Sequence, residues 1–416
     1  MREYETYFLM KAEDVPGYVR KKLPDFFPAG AVLSAKEIGD GNLNYVFRVK
    51  DEGSGKSIII KQAGEETRIS KEMRLSTDRG RIEAKILSIQ SDLAPGLVPT
   101  VYSYDEVMCA ILMEDMVGHS MMRTGLLRHE TYPRFAEDIS TFMARSLLLS
   151  TDVVLDHKKK KELVRSFINP DLCEITEDLV YTEPYNDQKK RNNVYPPNAA
   201  FVRKELYEDE ALHLEVAKLK FSFMNDAQAL IHGDLHSGSV FINPEHTFVF
   251  DPEFAFYGPM GYDVGNILAN LFFARCNGFA TIEKEGEKEV FCNWTLSTMV
   301  SIVDQFTAKF KALWEERARE PMAKVKGFLD YYMGRVLADT AGVMGLELIR
   351  RTVGMANVKD LTTIADEAKR TRAERTCILL AKDCILHRES FRKGADYEAA
   401  IHRAEEKVQK KEREEA

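Results

Sequence analysis

Two short apolar runs, residues 229–231 and 248–250, each lead into a turn that carries a carboxylate, and this pairing constrains the chain more than any other feature. The first leads into His232-Gly233-Asp234-Leu235-His236-Ser237-Gly238-Ser239, the second into Asp251-Pro252-Glu253. A three-residue apolar run bounded by turn residues reads as a β-strand. Asp234 therefore sits in a tight loop after an apolar approach, where it can accept a proton from an attacking hydroxyl. Asp251 and Glu253 emerge at a strand end, and carboxylates there, beside a phosphate chain, are natural Mg²⁺ ligands. Three carboxylates so placed are what phosphoryl transfer requires.

A chain of 416 residues with 44% hydrophobic and 30% charged residues has the length for two lobes and the composition of a globular protein. Its net charge of -8 argues against nucleic acid or an anionic membrane as partner and favours a small diffusible substrate. Cys109, Cys173, Cys276, Cys292, Cys377 and Cys384 contain no CxxC pair, so neither a zinc site nor a disulfide framework is expected. Glu3, Glu5, Glu13 and Asp14 interrupt the first twenty residues, unlike a secretory signal, and no apolar run reaches membrane-spanning length. A cytoplasmic protein is expected.

Residues 31–38, 45–49 and 57–60 read as strands joined by a Gly-Asp-Gly-Asn turn and a Gly53-Ser54-Gly55 hairpin. Ile82, Ile86 and Ile89 place a helix over 77–90, and 101–104 and 109–113 read as two further strands. These elements make a compact N-terminal lobe, residues 1–116. Helical patterns then dominate at 131–149, 160–168, 205–226, 296–317, 324–351 and 361–386, giving a C-terminal lobe over 117–397. The lysine run 158–161 and a charged tail, 398–416, read as solvated surface.

The turn Gly39-Asp40-Gly41-Asn42-Leu43-Asn44 lets the backbone approach nucleotide phosphates and offers Asn44 at the pocket edge, although an ordinary hairpin carries the same residues. Lys61 ends the run Ile58-Ile59-Ile60, where a lysine can neutralise α- and β-phosphates or simply snorkel. Glu83, on the following helix, is its expected ion-pair partner, with Glu72 as rival. Glu114, Asp115 and Met116 form the connection whose backbone can read adenine. His232 and His236 make poor Mg²⁺ ligands, since the ion prefers oxygen, and His232 reads as a buttress. Arg350-Arg351 ends an otherwise apolar helix. Dipole capping with surface salt bridges explains the pair better than substrate contact does on these residues alone, because successive helical positions diverge by about 100°.

The His-Gly-Asp loop resembles the small-molecule branch of the protein-kinase-like fold. Members of that branch usually carry a metal-binding Asn five places after the catalytic Asp. Ser239 stands there instead, and Glu253 of Asp-Pro-Glu can make good the missing oxygen. These two changes, with Phe254-Ala255-Phe256-Tyr257-Gly258-Pro259-Met260-Gly261-Tyr262-Asp263-Val264-Gly265 directly after, resemble the S-methyl-5-thioribose kinases of methionine salvage. The resemblance runs from Glu37 to about Lys359.

It implies an α+β, bilobal fold with a small β-rich N-lobe and a larger helical C-lobe, acting on the anomeric C1 hydroxyl of methylthioribose with ATP and Mg²⁺. It implies Asp234 as catalytic residue, and Gly39, Asp40, Gly41, Asn42, Asn44, Lys61, Glu83, Glu114, Asp115, Met116, Asp251, Pro252 and Glu253 around the nucleotide. Asp251 and Glu253 would hold the metal, and Arg350 and Arg351 would join Asp234 at the sugar. Asp263 is implied as the buried aspartate that ties the catalytic loop to a helix, and the family's habit implies a homodimer. A kinase of another small alcohol (an aminoglycoside, choline or homoserine) and a non-catalytic nucleotide-binding protein are the alternatives. The arginine pair works against cationic substrates.

Overall fold

The computed structural model describes residues 4–38, 44–64 and 75–415. Gly39, Asp40, Gly41 and Asn42 of the expected nucleotide loop, and Glu72, lie outside the described residues. The chain divides into two units, Met1–His119 with Phe248–Ala255, and Ser120–Thr247 with Phe256–Ala416. The segment bearing Asp251 and Glu253 thus belongs with the N-terminal residues, although the sequence pattern alone assigned it to the second lobe.

In the first unit, helix α1 (Val15–Lys22) precedes strands β1 (Leu33–Glu37), β2 (Asn44–Asp51) and β3 (Ser57–Ala63). Helix α2 (Asp78–Leu93) and strands β4 (Val101–Asp105) and β5 (Ala110–Glu114) follow. The strands form one antiparallel sheet in the order β1-β2-β3-β5-β4. The β2–β3 turn is closed by Asp51, whose carboxylate accepts from Gly53 N at 3.2 Å and Ser54 N at 3.0 Å, with Gly55 at φ 75°.

Strand periodicity decides which residues face which helix. Side chains two apart share a face, so Ile58 and Ile60 of β3 point with Phe47, Val49, Ala110 and Leu112 into a core shared with Val15, Tyr18 and Val19 of α1. The alternate residues Ile59, Lys61 and Ala63 face the other way. There α2 lies close enough that a Cβ on Gly80 would sit 3.5 Å from Ala63 Cβ. One turn beyond Gly80 stands Glu83, which places a helical carboxylate opposite a strand lysine.

The second unit is built around the helix Gly261–Thr281, buried along its length except at Phe279 and Thr281. A helix buried on all sides shows no amphipathic stripe, which is why its sequence gives no periodic signal. It touches the helix Phe328–Val353 backbone to backbone: added Cβ atoms on Gly261 and Gly265 would lie 2.6 Å from Thr340 N and Thr340 O. Gly345 brings that second helix equally close to Ala381 O of Glu367–Leu386. The expected 361–386 helix is broken into Lys359–Thr362 and Glu367–Leu386, the latter capped by Asp366 accepting from Lys369 N at 2.9 Å.

Residues read as a solvated tail instead continue the helix Gly394–Glu415, whose Tyr397, Ala400, Ile401, Ala404 and Val408 are buried. Their spacing is an amphipathic stripe hidden among charges. Lys160 of the lysine run is also buried, its ammonium 2.7 Å from Asp152. No described helix is long and apolar enough to cross a membrane.

Candidate active site

In the first unit Lys61 reaches Glu83 from its strand, Nζ lying 2.8 Å from Oε1 and 2.7 Å from Oε2. The same ammonium donates to Asp251. Glu253, two residues on, is buried and accepts from Asn44 Nδ2 at 2.9 Å, with Arg79 Nε 3.6 Å away. Oxygens of Glu83, Asp251 and Glu253 all lie within 4.8 Å of one another. Asp251 holds a left-handed backbone at φ 66°, a conformation few residues other than glycine, asparagine and aspartate adopt, and Pro252 beside it is buried.

Crowding of three carboxylates governs the electrostatics. Burial alone would lower the Lys61 pKa, but Asp251, Glu83 and Glu253 outweigh it and hold the ammonium above the ordinary lysine range. Burial likewise pushes the Glu83 carboxyl up, against the pull of Lys61. Burial, then the Asp251 carboxylate, raise Glu253 to about 7. A hard dication fits this excess of oxygen donors and negative charge, to which Glu83, Asp251 and Glu253 all contribute.

The expected adenine connection is partly committed to structure. Glu114 N donates to Thr100 O at 2.8 Å, and its carboxylate accepts from Thr100 N at 2.9 Å. Asp115 is gripped by Arg48 through Nε at 2.7 Å and Nη2 at 2.8 Å, and by Ser57 Oγ at 2.6 Å. The side chains of Glu114 and Asp115 therefore brace the strand ends, and any contact with adenine falls to the main chain here and at buried Met116.

In the second unit the strand Ala229–Ile231, paired antiparallel with Phe256–Gly258, delivers the loop that carries Asp234. Asp263, in the first turn of the buried helix, accepts from His232 N at 2.7 Å and Gly233 N at 3.0 Å. Two turns along the same face, Asn270 Oδ1 accepts from Ser237 Oγ at 2.9 Å. The loop is thus fastened at both ends to one helix face. Ser239 is turned inward, its hydroxyl donating to Asp234 O at 2.9 Å. His236 Nδ1 accepts from Gly238 N at 3.0 Å, which leaves the ring proton on Nε2, 3.3 Å from Asp234 Oδ2.

Asp234 Oδ1 meets a second donor, Arg350 Nη2, at 3.3 Å. Against the upward push of burial, His236, Arg350 and Arg351 hold the Asp234 carboxyl well below the usual carboxylate range. Both arginines converge on buried Glu347, one turn earlier on Phe328–Val353: Arg350 through Nε, and Arg351 Nε at 3.1 Å from Oε1. Burial is again outweighed, so Glu347 also stays below its ordinary value. Helical spacing of three and four explains how neighbouring guanidiniums, which should diverge, are folded back onto one carboxylate.

Residues 34–289 match the phosphotransferase enzyme family. A methylthioribose kinase of Geobacillus sp. (strain WCH70) is 39% identical over 366 residues, 88% of this chain and 89% of its own. Another, from Bacillus cereus (strain ZK / E33L), is 40% identical over 361 residues, 86% of this chain and 88% of its own. The chain belongs to the methylthioribose kinase family. Among solved structures, a choline kinase from Cryptosporidium parvum Iowa II covers 90% of this chain and 95% of its own with a TM-score of 0.47 at 13% identity, too loose a match to bear on substrate.

For a methylthioribose kinase family member the described geometry gathers the expected residues into two groups. Asn44, Lys61, Glu83, Asp251 and Glu253 meet in the first unit, and Asp234, Arg350 and Arg351 in the second. Sequence reasoning missed Glu347, although its offset from the arginine pair was a usable signal. It also missed Asn270, which signals itself only as an asparagine in an apolar helix, and Arg79, buried beside Glu253. Arg123, on the short helix Met122–Leu127, was missed too and stands against the catalytic loop, near Asp234. No local pattern announces it.

Proposed function

We propose that the protein transfers the γ-phosphoryl group of ATP to the anomeric C1 hydroxyl of S-methyl-5-thio-D-ribose, giving ADP and the sugar 1-phosphate in methionine salvage. The observation that carries this reading is the Asp234 carboxylate held between Arg350 and His236, with both arginines anchored on Glu347. One acidic group surrounded by fixed donors suits a neutral polyhydroxy substrate, and nothing in that arrangement favours a polycation or quaternary amine.

In this reading Lys61, oriented by Glu83, faces the α- and β-phosphates. Mg²⁺, when bound to Asp251 and Glu253, supplies positive charge to the phosphate oxygens. Asp234 orients the C1 hydroxyl so that its oxygen bonds to the γ-phosphorus as the bond to ADP breaks, and takes the hydroxyl proton. A carboxylate held so far below its ordinary pKa is a weak base. That suffices, because in a loose transition state the hydroxyl proton leaves late and positioning provides most of the acceleration. The arginines steady vicinal hydroxyls and oppose the charge on the moving phosphoryl group. The main chain around Met116 is the proposed adenine contact. A homodimer and a cytoplasmic location are proposed on the family resemblance.

The test is a substrate panel with ATP: methylthioribose, ribose, choline, homoserine and an aminoglycoside. Methylthioribose is expected to give the highest kcat/KM, with phosphate on C1 by NMR. Preferential turnover of a cationic alcohol would overturn the assignment.

A further inference from the structure

Arg123, on the short helix Met122–Leu127, stands beside the loop that carries Asp234. Its guanidinium is packed on the catalytic loop: a Cβ on Gly238 would lie 2.9 Å from Arg123 Cζ and Nη2, and 2.8 Å from His236 Cε1. Glycine at 238 leaves the space that these two side chains occupy. Nε and Nη2 of Arg123 are both buried and donate to nothing among the described residues. These two nitrogens share one edge of the planar group, the edge that grips two oxygens in parallel. Arg48 uses the same edge on Asp115 in this protein.

The surrounding charges explain why this edge is open. Asp234, Glu347 and Asp360 lie near enough to attract Arg123, and Arg351 near enough to repel it. Yet Asp234 is engaged by Arg350 and His236, and Glu347 by Arg350 and Arg351. Buried donors without acceptors weaken a fold, and each asks for an explanation. Packing does not provide one, since an apolar side chain would fill the same volume without a charge to desolvate.

We propose that Arg123 is a third guanidinium of the phosphotransfer site, whose Nε and Nη2 edge takes two oxygens of the phosphoryl group as it arrives on the sugar and holds it in the sugar 1-phosphate. The occupant is an anion for a simple reason. Arg350 and Arg351 have carboxylates within hydrogen-bonding reach, whereas among the described residues Nε and Nη2 of Arg123 meet none, and a neutral diol would bring no counter-charge to that edge. The partly exposed side chain delivers the edge by rotating about its aliphatic stem. Arg123 forms and breaks no covalent bond. This proposal rests on the reading of the site as one that phosphorylates a small alcohol.

The experiment compares wild type, Arg123→Gln and Arg123→Lys by steady-state kinetics, and measures binding of the sugar 1-phosphate by calorimetry. Expected for Arg123→Gln are a kcat lower by about ten- to a hundredfold and sugar-phosphate binding weaker by a similar factor, with KM for sugar and for ATP within about twofold. Arg123→Lys keeps charge and stem but loses the two-point grip, so it falls in between and serves if the glutamine variant does not fold. Unchanged kcat and product affinity would reduce Arg123 to packing. A raised sugar KM at unchanged kcat would assign it to a sugar hydroxyl and overturn the phosphoryl contact. The substrate reading is carried by the wild type alone. Should wild type prefer another alcohol, the same ratios are measured with that alcohol and its phosphate.

Discussion

Arg350 bridges two carboxylates, holding buried Glu347 through Nε and reaching Asp234 Oδ1 from Nη2 at 3.3 Å. The proposed base is therefore oriented by a residue whose own position is fixed within its helix. Arg350→Lys or Arg351→Lys keeps the charge and removes the fork. Each is expected to lower kcat/KM for the sugar by about one to two decades, the equivalent of roughly 1.5–3 kcal/mol, while ATP affinity changes little. Steady-state assays with each substrate varied decide it. Unchanged sugar efficiency in both variants would leave the pair as ornaments of a helix end.

Asp234→Ala removes the proposed proton acceptor and the partner of both Arg350 and His236. A loss of about 10²–10⁴ in kcat is expected, with ATP binding retained in a fluorescence or calorimetric titration. Turnover near that of wild type would end the assignment.

Asp251→Asn and Glu253→Gln each take one anionic oxygen from the proposed Mg²⁺ site. The Mg²⁺ concentration for half-maximal activity is expected to rise in both by about tenfold or more, since even an outer partner of a metal ligand is worth that much affinity. Superimposable Mg²⁺ titrations for wild type and both variants would place the ion elsewhere.

The low pKa of Asp234 makes a prediction about pH. A carboxyl depressed on folding contributes stability that is fully present above its unfolded value, near 3.9, and lost only as pH falls through the folded value below that. Asp234 is then charged throughout the neutral range. No ionisation of Asp234 should appear in kcat/KM for the sugar between about pH 5 and 8. An acid limb in that window that persists in His236→Gln, where the ionisation of the histidine is gone, and disappears in Asp234→Asn would show Asp234 titrating there, contrary to the prediction.

What the sequence disclosed and what it hid follow from chain connectivity. Strands β1 to β5 were legible because alternation and turn residues are local, as were the two acidic loops. The Lys61–Glu83 pair was reachable because strand and helix periods are known and the two elements are consecutive. Glu347 was within reach and overlooked, since it lies one turn from the arginines it anchors. Arg123 and Asn270 were beyond reach, for each meets the catalytic loop only through packing of distant segments. The tail was misread because its buried stripe of Tyr397, Ala400, Ile401, Ala404 and Val408 is outnumbered by charges. The all-round burial of Gly261–Thr281 erased the periodicity by which helices are usually found.

The glycines of that last helix set a tolerance on the chemistry. Gly261 and Gly265 let the helix that fastens the Asp234 loop rest directly on the backbone of the helix that ends in Arg350 and Arg351. Backbone against backbone is the stiffest spacer a protein can place between two elements, because no rotamer can yield to absorb a displacement. The separation of acid and guanidinium is thus gauged by a contact that flanks Asp263, the anchor of the Asp234 loop, and lies about three turns before Arg350. A single methyl at residue 265 would act as a shim, misaligning the proposed sugar site while leaving every residue assigned to it unchanged.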